Sequence, residues 1–170
     1  MLLDFDPEIM AFSAQPFSLI WPGHQRSECT HAPDFFARRA DGTGVVIDVR
    51  PDNLIDPKAA KVFDVTASAC AKVGWEFRRI GGPSAVLAAN VRWLAGYRHP
   101  RCRRPDIADA LMDRFIEPMP LFAGAAAVGD RLAVLPVLYH LLWRHVLTTD
   151  LATAPLSPGS VVCAGAETAL

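Results

Sequence analysis

Residues 31–51 read HAPDFFARRADGTGVVIDVRP, two apolar runs around a turn, each carrying an acidic side chain. Asp34 opens the first run, and Asp48 and Arg50 interrupt the second. On a strand, residues i and i+2 share a face, so Asp48 and Arg50 point one way and Val49 the other. A long hairpin would bring Asp34 and Asp48 to one end of a sheet. Two converging carboxylates repel unless one is protonated or a cation lies between them. A hard divalent ion, Mg²⁺ or Mn²⁺, is the natural partner of oxygen ligands, and the Val49 carbonyl could add one more. Such an ion polarises a phosphoryl oxygen and lowers the pKa of bound water toward ~7. The Arg50 cation beside it would stabilise charge on a phosphorane-like transition state. The plainer alternative is an exposed Asp48–Arg50 ion pair worth about 0–1 kcal/mol, with Asp34 capping a turn. Spacing alone favours the plainer one.

The elements that must position these residues follow from local signals. Asp41-Gly42 marks a hairpin turn, because Gly tolerates the positive φ of a type I′ turn. The spans 33–39 and 44–50 are its expected antiparallel strands. Residues 9–21, IMAFSAQPFSLIW, read as two short strands or a bent edge strand around Pro16, and residues 22–32 as a polar loop. Asp56 as N-cap, Pro57 at the first helical position and Gly74 as a stop frame a helix. WEFRRI (75–80) reads as a strand, so hairpin, helix and strand make a crossover over a mixed sheet. A helix is expected over 83–98. The basic, Pro-bearing RHPRCRRP (98–105) is the best candidate domain boundary. Beyond it lie three short helices and two extended runs, the parts of a winged helix.

The chain has 170 residues, 51% hydrophobic and 21% charged, with a formal net charge of −1. That is globular composition, and it gives no global sign of a polyanion partner, though a local basic face stays open. Cys29, Cys70, Cys102 and Cys163 are scattered, without a C-x-x-C pair, so reduced thiols in the cytoplasm are expected. No signal peptide and no membrane span are expected.

PDFFARRADGTGVVIDVRP resembles the core of the PD-(D/E)xK nucleases, with Pro33-Asp34 and Asp48-Val49-Arg50 at the signature positions. More narrowly, the chain resembles the TnsA-like endonuclease subunits of heteromeric transposases. The resemblance runs in order through LLDFDPEIMAFSAQPFSLIW, the hairpin, CAKVGWEFRRIGGPSAVLAANVRWLAGYRHPRC and LPVLYHLLWRHVLTTDLATAPLS. It implies an α/β (α+β) restriction-endonuclease-like mixed sheet flanked by helices over residues 1–98. A small helical, winged-helix-like domain would follow over 105–170. It also implies Mg²⁺ (or Mn²⁺) held by Asp34, Asp48 and Val49, and hydrolysis of one strand of double-stranded DNA at transposon ends. The implied partners are a DDE-type transposase subunit that cuts the other strand and an AAA+ ATPase regulator. Two departures stand out. Arg50 occupies the usual Lys position, and Arg cannot act as a base. The Glu-bearing helix that precedes LLDFDPE in the family is missing, with Asp4, Asp6 or Glu8 as poor substitutes, so a truncated start is expected.

Arg98, Arg101, Arg103 and Arg104 are candidate phosphate ligands near a cleavage site, with a solvated linker as the equal alternative. His99 and Cys102 have metal-ligand spacing but no second pair, so no zinc site is expected. In YHLLWRH (139–145), core packing is favoured over a DNA-reading helix. Two rival readings are a catalytically weakened homologue that binds DNA or the ATPase, and a winged-helix regulator.

Overall fold

The computed structural model describes residues 1–22 and 28–165. It is mixed α/β, with a mixed sheet and six α-helices among the described residues. The chain divides into two compact units: Glu8–Gly82, and Pro83–Leu170 together with Met1–Pro7. The boundary expected at 98–105 is therefore at 82/83. Helix α3 (Ala85–Ala95) belongs with the later helices, because its buried Val91 and Leu94 join the core formed there by Leu111, Phe115 and Leu138.

The Glu8–Gly82 unit is built on strands β1 (Ile9–Ala14), β4 (Phe35–Arg39), β5 (Gly44–Val49) and β6 (Glu76–Ile80), in the order β1-β4-β5-β6. Strands β4 and β5 are the expected antiparallel hairpin, with Phe35 opposite Ile47 and Arg38 opposite Gly44. The turn differs from the type I′ expectation. The Gly42 N–H donates to Arg39 O at 3.0 Å, and of the turn residues only Gly42, at φ 86°, is left-handed. That is a three-residue loop whose last position demands Gly. Asp41 stays at negative φ, and its side chain accepts the Thr43 N–H at 2.8 Å.

Helix α2 (Pro57–Lys72) starts as its sequence dictates: Asp56 Oδ1 accepts the Ala59 N–H at 2.7 Å, and Pro57 gives up no bond at the first position. It ends with Gly74 at φ 72°, the Trp75 N–H reaching Cys70 O and the Gly74 N–H reaching Ala71 O, a Schellman cap. The helix returns the chain so that β6 pairs parallel to β5, with Val46 beside Phe77 and Asp48 beside Arg79. Phe63 of α2 meets Phe77 at 5.9 Å. Alternation therefore puts Val46, Asp48 and Arg50 on the face that α2 covers. Residues 9–21 form two strands, β1 and β2 (Leu19–Pro22), divided at Gln15. The span expected as a loop contains a further strand, β3 (Glu28–His31), paired antiparallel with β2 so that His31 sits opposite Leu19.

The other unit contains α1 (Leu2–Phe5), α3, α4 (Pro105–Arg114), β7 (Met119–Pro120), α5 (Leu121–Val128), α6 (Arg131–Trp143), β8 (Leu147–Thr149) and β9 (Val161–Ala164). Its sheet order is β7-β9-β8. Helix α6 is apolar almost all round and buried from Val137 to Trp143, including the whole of the YHLLW run. His140 Nδ1 lies 2.8 Å from Tyr97 O and His145 Nε2 lies 2.6 Å from Phe5 O, so these histidines serve the packing. Asn90, buried on α3, donates to Leu151 O and Ala154 O and accepts the Leu156 N–H, tying down the 151–156 loop. No helix among the described residues is long and apolar enough to cross a membrane.

Candidate functional site

Asp34 lies one step beyond the last hairpin pair, which places it opposite Asp48 on the same face of the sheet. The two clasp each other through the backbone. The Asp34 N–H donates to Asp48 Oδ1 at 3.3 Å, and the Val49 N–H donates to Asp34 Oδ2 at 2.7 Å. Sequence spacing thus brought the two carboxylates to one end of the hairpin, as expected. A third side chain joins them: His31 Nε2, at the end of β3, lies 2.9 Å from Asp48 Oδ2. His31 escaped the sequence reading because residues 22–32 carry no alternating apolar run. The one signal that could have found it is its place three residues before Asp34, at the head of the quoted stretch.

Asp48 is 3% exposed, and one N–H and one imidazole supply the donors that its burial requires. Its carboxylate also acts on α2. Burial first, and the Asp48 charge second, hold the Cys70 thiol above its ordinary pKa. Asp48 takes His31, not Arg50, as its side-chain hydrogen-bond partner. Arg50 is exposed and lines an open pocket of about 290 Å³ with Asp56, Lys58, Ala59, Val62 and Phe63, at the start of α2. Its backbone is held on both sides, N–H to Ile80 O at 2.9 Å and C=O from the Arg79 guanidinium at 2.8 Å. The face therefore carries two carboxylates and one imidazole, with a guanidinium just beyond the end of β5.

Among the described residues no group of three or more His, Cys, Asp or Glu side chains is gathered as a metal would require. The Asp34–Asp48 pair matches a hard divalent ion in kind, since Mg²⁺ is commonly held by one or two carboxylates with waters and substrate phosphates completing the shell. Each carboxylate oxygen offers two lone pairs, so the bonds at Asp34 Oδ2 and at both Asp48 oxygens leave acceptor capacity. The number of ligands is small, so a divalent ion placed there would be held weakly without a phosphate.

The four arginines of the basic stretch lie in the other unit, all exposed. Arg98 Nε is 3.9 Å from Asp4 and Arg104 is 3.1 Å from Asp106, whose pKa the Arg104 hydrogen bond lowers. Arg101 lines a groove with Arg92 and Trp93. Cys102 is buried and His99 Nδ1 accepts the Arg101 N–H at 3.1 Å, which leaves their metal-like spacing a local packing feature. No protein-family model matches the chain, and a search of curated proteins finds no match.

Proposed function

We propose that this chain is a TnsA-like, PD-(D/E)xK-type endonuclease subunit of a heteromeric transposase, acting on double-stranded DNA at transposon ends and weak in cleavage on its own. The observation that carries the reading is the clasp between Asp34 and Asp48 on one face of a mixed sheet, beside an exposed Arg50. Asp34, Asp48 and the Val49 carbonyl would hold Mg²⁺ (or Mn²⁺), which supplies an activated water and a polarised phosphate when bound. Arg50 would clamp the scissile phosphate through its fork of donors and offset the charge that builds there. It takes no proton, so general-base help, typically about 10²–10⁴ in rate, must come from elsewhere.

The order α4, β7, α5, α6, β8, β9 with its three-stranded sheet supports a winged-helix reading of the second unit. Helix α6, in the place of a DNA-reading helix, is buried along its last two turns, which weighs against a plain winged-helix regulator. The 3% exposure of Asp48 favours a second reading without cleavage, either a winged-helix regulator or a catalytically weakened subunit that binds DNA or the AAA+ ATPase beside a DDE-type partner.

The test is nicking of transposon-end duplex by the chain with Mg²⁺ or Mn²⁺, with Mn²⁺ binding measured separately by calorimetry. The reading expects feeble nicking that rises in Arg50→Lys, and nicking and Mn²⁺ binding that both vanish in Asp48→Asn. Mn²⁺ binding without nicking would move the choice to the weakened subunit. Strong nicking that survives Asp48→Asn would sink both assignments of the site.

A further inference from the structure

An exposed aromatic ring stands among the arginines of the second unit. Trp93, on α3, is 53% exposed. It packs on Tyr97 at 5.8 Å and edge-on with Tyr139 at 5.9 Å. Tyr139 is itself buried and Tyr97 lies 4.8 Å from it, so the indole is braced from below while about half of it faces water. An open groove of about 610 Å³ runs past it, lined by Arg92, Gly96, Tyr97 and Arg101. From Arg92 to Arg104 the sequence has five arginines and no Asp or Glu. In a chain of formal net charge −1, this is a local cationic stretch around a half-exposed indole.

We propose that this groove binds a single-stranded or frayed DNA segment, with one base stacked on Trp93 and the flanking phosphates on Arg92 and Arg101. The chemistry selects the occupant. An acidic peptide would satisfy the guanidiniums and leave the indole without a partner, whereas a nucleic-acid strand brings a phosphate and a π-face in every repeat. A base inside a duplex is already stacked on its neighbours, so a duplex would reach the arginines and not the ring. A ring fixed before binding loses little freedom when a base arrives, which favours affinity. This inference rests on the DNA reading for the class of polymer and makes no use of the carboxylate pair.

The experiment is fluorescence anisotropy of the full chain with labelled oligothymidine and with a blunt duplex of equal length. Wild type is expected to bind both. Trp93→Ala is expected to weaken single-strand binding by about 5–150-fold and leave duplex binding unchanged, with Trp93→Phe recovering most of the loss. Should Trp93→Ala fail to fold, Trp93→Leu serves with the exposed pair Arg92→Gln and Arg101→Gln. The double arginine variant must lower the salt dependence of single-strand binding, and Trp93→Leu, which keeps apolar bulk without a ring, must lower its affinity. Unchanged single-strand binding in these variants overturns the proposal. So does an equal loss on duplex in Trp93→Ala, and so does competition by polyglutamate as effective as that by oligothymidine. Duplex binding without single-strand binding by wild type overturns this proposal alone. Binding to neither overturns the DNA reading with it.

Discussion

A carboxylate taken out of water keeps its place only if donors meet its oxygens. For Asp48 those donors are His31 and the Asp34 N–H. Removing His31 therefore exposes the whole cost of a buried acceptor left short of a partner. His31→Ala is expected to destabilise by about 1–3 kcal/mol in urea titration. The same substitution in an Asp48→Asn background should cost much less, and equal costs in the two backgrounds would mean that the pair is not coupled. Cys70 reads the same carboxylate from α2. Burial and Asp48 both raise its pKa, so the folded chain holds the thiol proton more tightly than the unfolded chain does. The stability this contributes is fully present below the ordinary thiol value near 9 and is lost as pH rises through the higher folded value. Urea midpoints should accordingly fall more steeply above about pH 9 in wild type than in Cys70→Ala, and parallel profiles would refute this. At this scale the sequence revealed the carboxylates, because strand alternation and hairpin pairing are local rules. It did not reveal His31, whose position depends on β3 pairing with β2 across residues 23–27.

Elements explain which parts were legible. Helix α2 announced itself through Asp56, Pro57 and Gly74, each of which acts within a few residues of its own position. The hairpin did so through Asp41-Gly42, though not its loop length, since either loop uses Gly at positive φ. The four-residue strand β3 has too few positions to show a period. Helix α3 was found, but an apolar face does not say which core it will join. Helix packing in the second unit depends on a close approach that no propensity predicts. A Cβ on Gly124 of α5 would lie 2.2 Å from Phe115 Cζ, and that ring is fully buried. Ala is the better helix former by about 1 kcal/mol, whereas forcing an atom into a packed core costs about 1–3 kcal/mol. The clash should win: Gly124→Ala is expected to lower the thermal midpoint, and adding Phe115→Leu should restore part of the loss. A stabilised Gly124→Ala would show that the α4–α5 contact is loose.

Over the whole molecule, a formal charge of −1 conceals the arginines between Arg92 and Arg104. Net charge is a poor guide to a polyanion partner when one sign is concentrated locally. If four guanidiniums there neutralise phosphates, duplex affinity should fall by about 10² between about 50 and 200 mM salt. Replacing Arg98, Arg101, Arg103 and Arg104 by Gln should flatten that dependence, and an unaltered slope would place the DNA contact elsewhere. The domain boundary was the least legible feature, because it depends on a return of the chain: Met1–Pro7 belongs with residues beyond 82, and Glu8–Gly82 is nested between them. Phe5 packs on Trp143 at 5.2 Å and its carbonyl meets His145, 140 residues away. On a ribosome adding about 5–20 residues per second, those partners are synthesised roughly 7–28 s after Phe5. The nested unit can fold in that interval, while Leu2 and Phe5 wait as unburied apolar side chains for the last helix to be made.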